Sequence, residues 1–169
     1  MEKLTHWRRH DFRVNSLHMI VDGLDKAIKE LEKNVEEIHW YDGDWLMEET
    51  EPIYGLALIA FQNYIIGSIA DLEGTTKTKH NYYKKDKIVE GYYYTNIELI
   101  VTLANFAKHK DEKIHTGTAE ILDAFNLNHK KAIYLDEAVI FPGLTLLNKD
   151  WNLFQIKKYV IDWRESLWH

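Results

Sequence analysis

The chain contains no cysteine. That absence removes disulfides, thiolate zinc sites, iron–sulfur clusters and cysteine nucleophiles from consideration. Proline is nearly absent, with 2 residues, and glycine numbers only 8, which argues against a sandwich of many short strands and tight turns. No P-loop, GxGxxG or nucleophile-elbow pattern occurs, so the familiar phosphate- and dinucleotide-binding signatures are missing. The start, Met1 to His6, is charged and lacks the apolar centre of a signal peptide. What is present fits one globular domain over residues 1–169. Hydrophobic residues make up 46% and aromatics 13%, enough to exclude general disorder. The formal net charge is −6, which repels nucleic acid overall and confines any RNA contact to a local basic patch.

Apolar periodicity predicts helices. Val14, Leu17, Val21, Leu24, Ile28, Leu31, Val35 and Ile38 follow alternating steps of three and four, the seam of a long helix lying nearly parallel to a neighbour. Ile53 to Leu72 is apolar on nearly every face, so it is expected to form a central helix covered all round. Its length invites a membrane reading. Gln62, Asn63, Ser68 and Asp71 would be costly in lipid, so the expectation is a buried helix in a cytoplasmic protein with no membrane contact. Pro52 suits the first turn of that helix, with Thr50 as its cap. A third helix is expected over Thr95 to Lys110, a short one over Thr118 to Phe125 with Asn126 and Asn128 near its stop, and a last one over Trp151 to Leu167 capped by Asp150. Tyr134-Leu135 and Val139-Ile140-Phe141 read as short strands, and Pro142-Gly143 as a turn. Four main helices, one short helix and irregular C-terminal connections make an all-α helical bundle.

Charge is distributed unevenly. From Glu36 to Glu51 there are seven acids, Glu36, Glu37, Asp42, Asp44, Glu48, Glu49 and Glu51, and no Lys or Arg. Trp40 and Trp45 stand among them, a composition suited to a basic protein partner. Between Lys77 and Tyr94 lysines alternate with tyrosines, a pattern that binds RNA through phosphate contact and base stacking.

On the third helix Glu98, Thr102, Asn105 and His109 fall at steps of 4, 3 and 4, a polar stripe beside the apolar face. Lys108 and Lys110 bracket His109. A histidine exchanges protons near neutral pH, lysines stabilise phosphate charge, and an amide one turn away can orient an imidazole. The candidate catalytic residues are therefore Asn105 as orienter, Lys108 as phosphate contact and His109 as acid/base group. A solvated helix end, where Lys and His favour the dipole, accounts for the same residues without any chemistry. Metal binding is a separate enzyme reading. His6 and His10 are an i, i+4 pair, and His39 beside Asp42 and Asp44, or His109 with Asp111, would need the fold to complete a site. No metal or other cofactor is assigned.

The run Leu103-Ala104-Asn105-Phe106-Ala107-Lys108-His109-Lys110-Asp111-Glu112, with the preceding segment Gly55 to Ile65, resembles blocks of uncharacterised bacterial helical proteins. Those proteins in turn resemble the HEPN superfamily of helical nucleotide-binding and ribonuclease domains. The resemblance spans residues 50–128. It implies a homodimer whose facing helices build a metal-independent ribonuclease site, in toxin–antitoxin or defence systems. Such sites pair a polar residue, usually Arg, with a His, four to six residues lying between them. Here three residues separate Asn105 from His109, and four separate Lys110 from His115, with Lys in place of Arg. Arg13 and His18 match the spacing on the first helix, away from the usual motif position. Two functions follow. One is a HEPN-like ribonuclease acting through His109. The other is a non-enzymatic interaction protein, immunity- or antitoxin-like, that uses the acidic, Trp-bearing surface. A concave Asn105/His109 stripe favours the first, and an exposed acidic patch without a cleft favours the second.

Overall fold

The structure is a computed structural model, and it describes residues 6–129 and 138–169, with side chains from residue 8 onward. It is all-α. In chain order the helices are α1 (His6–Arg9), α2 (Val14–Glu37), α3 (Gly43–Glu73), α4 (Lys79–Tyr83), α5 (Asn96–His109), α6 (Thr116–Ala124), α7 (Ile140–Leu147) and α8 (Leu153–Ser166). The single β-type pairing among the described residues is the antiparallel bridge of Ile88 with Thr95.

α3 is the axis of the bundle. It packs chiefly against α2 and α5, and less extensively against α8, α7 and α1. Ala57, Leu58, Phe61, Ile65 and Ile69 of α3 are fully enclosed, as are Ile97, Leu99, Ile100, Leu103 and Ala104 of α5. Each such large apolar side chain contributes about 1.5–3 kcal/mol on leaving water. α7 lies directly on α5 because Gly143 has no side chain. A Cβ there would come within 2.4 Å of Leu103 Cδ2.

α3 begins earlier than the sequence suggests. The Asp42 side chain accepts from the backbone N–H groups of Asp44 and Trp45 at 3.1 Å and starts the helix at Gly43. Thr50 is therefore not a cap. It lies inside the helix and its hydroxyl donates to Leu46 O at 2.7 Å. Pro52 sits within the helix and not at its start. The helix ends at Gly74, whose φ of +71° is the left-handed conformation that glycine adopts without a Cβ clash. Nor is the helix covered all round: Leu56 remains 55% exposed. By length and composition α3 could cross a membrane, but many of its apolar residues are buried here in the core.

α2 follows the predicted seam. Leu17, Val21 and Ile28 are buried, whereas Val35 near its C-terminal end is exposed, so the seam outruns its partner. Asp11 accepts from the N–H groups of Arg13 and Val14, at 3.2 and 3.1 Å, and tethers the start of α2. The same carboxylate receives the Tyr64 hydroxyl and lies 3.5 Å from Nε of the buried Arg164. Arg164 also donates to Arg9 O at 2.9 Å and to Glu165 at 2.6 Å. One buried guanidinium thus ties both chain ends to α3.

Two further expectations fail. Val139-Ile140-Phe141 is not a strand. Ile140 and Phe141 open α7, and Pro142-Gly143 continues that helix instead of turning. The three apolar residues in a row are enclosed, so burial on several faces imitates a strand pattern. The last helix is capped by Asn152 and not by Asp150: the Asn152 side chain accepts from Phe154 and Gln155 N–H at 2.9 and 3.1 Å. Trp151 precedes this helix in the left-handed region, φ 52°. Its ring packs on Phe141 and Tyr54, and its indole N–H donates to Thr145 at 2.9 Å, which offsets the backbone cost. The proposed Tyr134-Leu135 strand lies outside the described residues.

Candidate active site

The start of α5 is fixed by a capping box. Thr95 Oγ accepts from Glu98 N–H at 3.1 Å, and Glu98 Oε2 accepts from Thr95 N–H at 2.9 Å. Thr95 also donates to Tyr83 O at 2.6 Å, which staples α4 to α5. Asp86 accepts from Ile97 N–H at 3.2 Å. Burial pushes the Asp86 carboxyl up, against these backbone hydrogen bonds.

Between α4, α5 and the start of α6 lies a cleft of about 750 Å³. The whole predicted stripe lines it: Glu98, Thr102, Asn105 and His109. The first two serve the fold. Glu98 closes the capping box and Thr102 donates to Glu98 O at 2.7 Å. Asn105 faces the cleft, but its side-chain oxygen accepts from Gln62 Nε2 at 2.8 Å, so its observed partner is Gln62 and not the imidazole. Lys108 donates to the Gln62 oxygen at 2.6 Å. Burial, and then the charge of Lys79, hold the Lys108 ammonium below its usual range. Gln62 thus joins α3 to two candidate residues on α5.

His109 Nδ1 lies 3.2 Å from Glu112 Oε2. Its ring meets that of His115 edge-on, with centroids 5.8 Å apart. His115 occupies the position just before α6 and also lines the cleft, as do Lys79 and Lys84. Three imidazoles (His80, His109 and His115), two ammonium-bearing side chains and the carboxylates of Glu98 and Glu120 therefore share one concavity. The two lysines can pair with an anionic group there, and the imidazoles can exchange protons with it. The buried Tyr83 ring forms part of the wall, and burial pushes its hydroxyl up to about 12.

The other candidates disperse. Arg13 is paired with Asp71 and lies over the Phe12 ring, and no residue of α2, His18 included, lines the cleft. Lys110 turns to Glu51, 3.2 Å away, so it does not join His115. His10 lies beyond the end of α1, so the i, i+4 face with His6 is not helical throughout. Asp42 is used as a cap. Among the described residues, no group of three or more His, Asp or Glu side chains is placed to hold a metal.

In the basic segment, Lys84, Lys85 and Lys87 are exposed. Its tyrosines divide by role: Tyr92 and Tyr94 pack on Phe125, Tyr82 bonds to Glu73, and Tyr93 is 96% exposed. Sequence reasoning did not single out Gln62 or Glu112. Gln62 was legible only as an oddity, an amide in an otherwise apolar helix. No family model, no curated protein and no solved structure matches the chain.

Proposed function

We propose that the chain is a metal-independent ribonuclease whose reaction takes place in the α4–α5–α6 cleft. The observation that carries the reading is the facing pair His109 and His115, in a concavity also lined by Lys79 and Lys84. His109, held by Glu112, takes the proton of a ribose 2′-hydroxyl. The freed oxygen attacks the adjacent phosphorus, and His115 protonates the departing 5′-oxygen. The products are a 2′,3′-cyclic phosphate and a 5′-hydroxyl. Lys79 and Lys84 balance the charge that develops on the phosphate. Asn105 and Lys108 act from the side, positioned by Gln62.

RNA is led to the cleft by the Lys77–Tyr94 segment, where exposed lysines meet phosphates and Tyr93 offers an open face to a base. The resemblance of residues 50–128 to the HEPN superfamily supports the same chemistry. It extends the reading to a cytoplasmic homodimer acting as a toxin-type effector of bacterial defence.

The test is cleavage of a mixed, end-labelled RNA pool in EDTA by the native chain, His109→Ala and His115→Ala. Removing one acid/base group typically costs about 10²–10⁴-fold. The expected result is EDTA-resistant cleavage that leaves cyclic phosphate ends and falls at least about 100-fold in each variant, with unchanged melting temperature. Cleavage that survives both substitutions, or that needs a metal, overturns the reading.

A further inference from the structure

At the other end of α3 its first turn meets the end of α2, and two indoles stand in water. Trp40 is 65% exposed and Trp45 48% exposed. They contact each other edge to face, with centroids 5.8 Å apart, and Trp40 also leans on Tyr41 at 6.0 Å. The buried Tyr41 holds this platform by donating to Glu49 at 2.5 Å. The indoles are therefore presented on a fixed support, and exposing them to water is unfavourable.

The charged side chains of the 36–51 stretch around them are all acids. Among the described residues Glu36, Glu37, Asp44 and Glu48 make no ion pair and are exposed. Glu36 and Glu37 fall in the last turn of α2, which holds no basic residue, so they oppose the negative end of that helix dipole. Lys33, already paired with Glu30, offsets this arrangement only in part, from one turn before Glu37. A cation arriving from outside would relieve it, and a guanidinium stacks on an indole face while pairing with carboxylates. The acids repel RNA and anionic membranes alike.

We infer that the Trp40–Trp45 corner is the docking surface for a basic, arginine-bearing segment of a partner protein. The inference is independent of the cleft and of its chemistry. It predicts that arginine is preferred over lysine, that both indoles become covered, and that binding weakens as salt screens the acids.

The probe is a nona-arginine peptide titrated into the full-length, ¹⁵N-labelled chain at about 50 mM salt. The chain has six tryptophans, each with one indole N–H signal. The two signals that vanish in Trp40→Phe and in Trp45→Phe are expected to shift most. Affinity should fall at least about 10-fold in Trp40→Ala/Trp45→Ala, and nona-lysine should bind several-fold more weakly than nona-arginine. A variant that removes three acids outside the corner, Glu90→Gln/Asp111→Asn/Asp150→Asn, should bind as the native chain does. Equal weakening by that distant variant, shifts spread evenly over all six indoles, or native affinity without the two tryptophans would each overturn the inference. So would sedimentation showing that Trp40→Ala/Trp45→Ala dissolves a dimer, because the corner would then belong to a second copy.

Discussion

Two of the hollows that adjoin α3 differ in what makes them. The cleft beside α5 is the more polar of the two. Its functional ends are held by hydrogen bonds that cross the fold, from Gln62 to Asn105 and Lys108. The groove beside α2, about 600 Å³, is apolar, with Phe12, Ile20, Leu56 and Ile59 in its walls. Phe12 is 51% exposed, Ile20 47% and Leu56 55%. In the cleft several polar groups are given partners from other elements, whereas the groove is where the apolar covering stops. A buried polar group demands a partner in a fixed direction, so the cleft has a defined geometry. An apolar wall demands only the exclusion of water and fixes none.

Substitutions on α3 test this contrast. The largest effect is expected at Leu58, which is fully enclosed. Leu58→Ala should cost about 2–5 kcal/mol in urea unfolding, with no change in the m-value. A cost below about 1 kcal/mol would mean that the α3–α5 contact is not the centre of the core.

An intermediate effect is expected at Gln62. Gln62→Leu keeps the side-chain size but leaves Asn105 and Lys108 without their partner. It should destabilise by about 1–3 kcal/mol and reduce RNA cleavage together with it. Full stability and full activity in this variant would show that the network does not position the cleft.

The smallest effect is expected at Leu56, two residues before Leu58 and in the groove wall. Leu56→Ala should change stability by no more than about 0.5 kcal/mol. A loss as large as that of Leu58→Ala, growing with protein concentration, would break the contrast by showing that a second copy covers the groove.

The helices were legible where periodicity is strong and tertiary demands are uniform. The alternating three-four steps of α2, the start of a helix at about Thr95 and the stop near Asn126 all follow local rules that the chain obeys in place. Local rules misled where two signals competed. Pro52 and Asp42 both suit a helix start, and the structure uses Asp42, whose side chain meets two orphan N–H groups. The stripe Glu98-Thr102-Asn105-His109 was visible as a spacing, and the spacing does bring all four to one wall.

What each stripe residue does was not visible. Whether Asn105 faces His109 or Gln62 depends on α3, whose Gln62 lies 43 residues away in sequence. His115 joins His109 only because the chain between α5 and α6 turns back on itself. The sequence determined by itself that this protein is helical, roughly where its long helices run, and that its charge is divided between an acidic and a basic stretch. These depend on neighbours within a turn or two, which periodicity, caps and composition record directly. The tertiary structure alone decided which polar groups share a cleft, which apolar face stays bare and which exposed acids form no ion pair among the described residues. Those outcomes depend on directional partners brought from distant parts of the chain, and no local pattern encodes a direction in space.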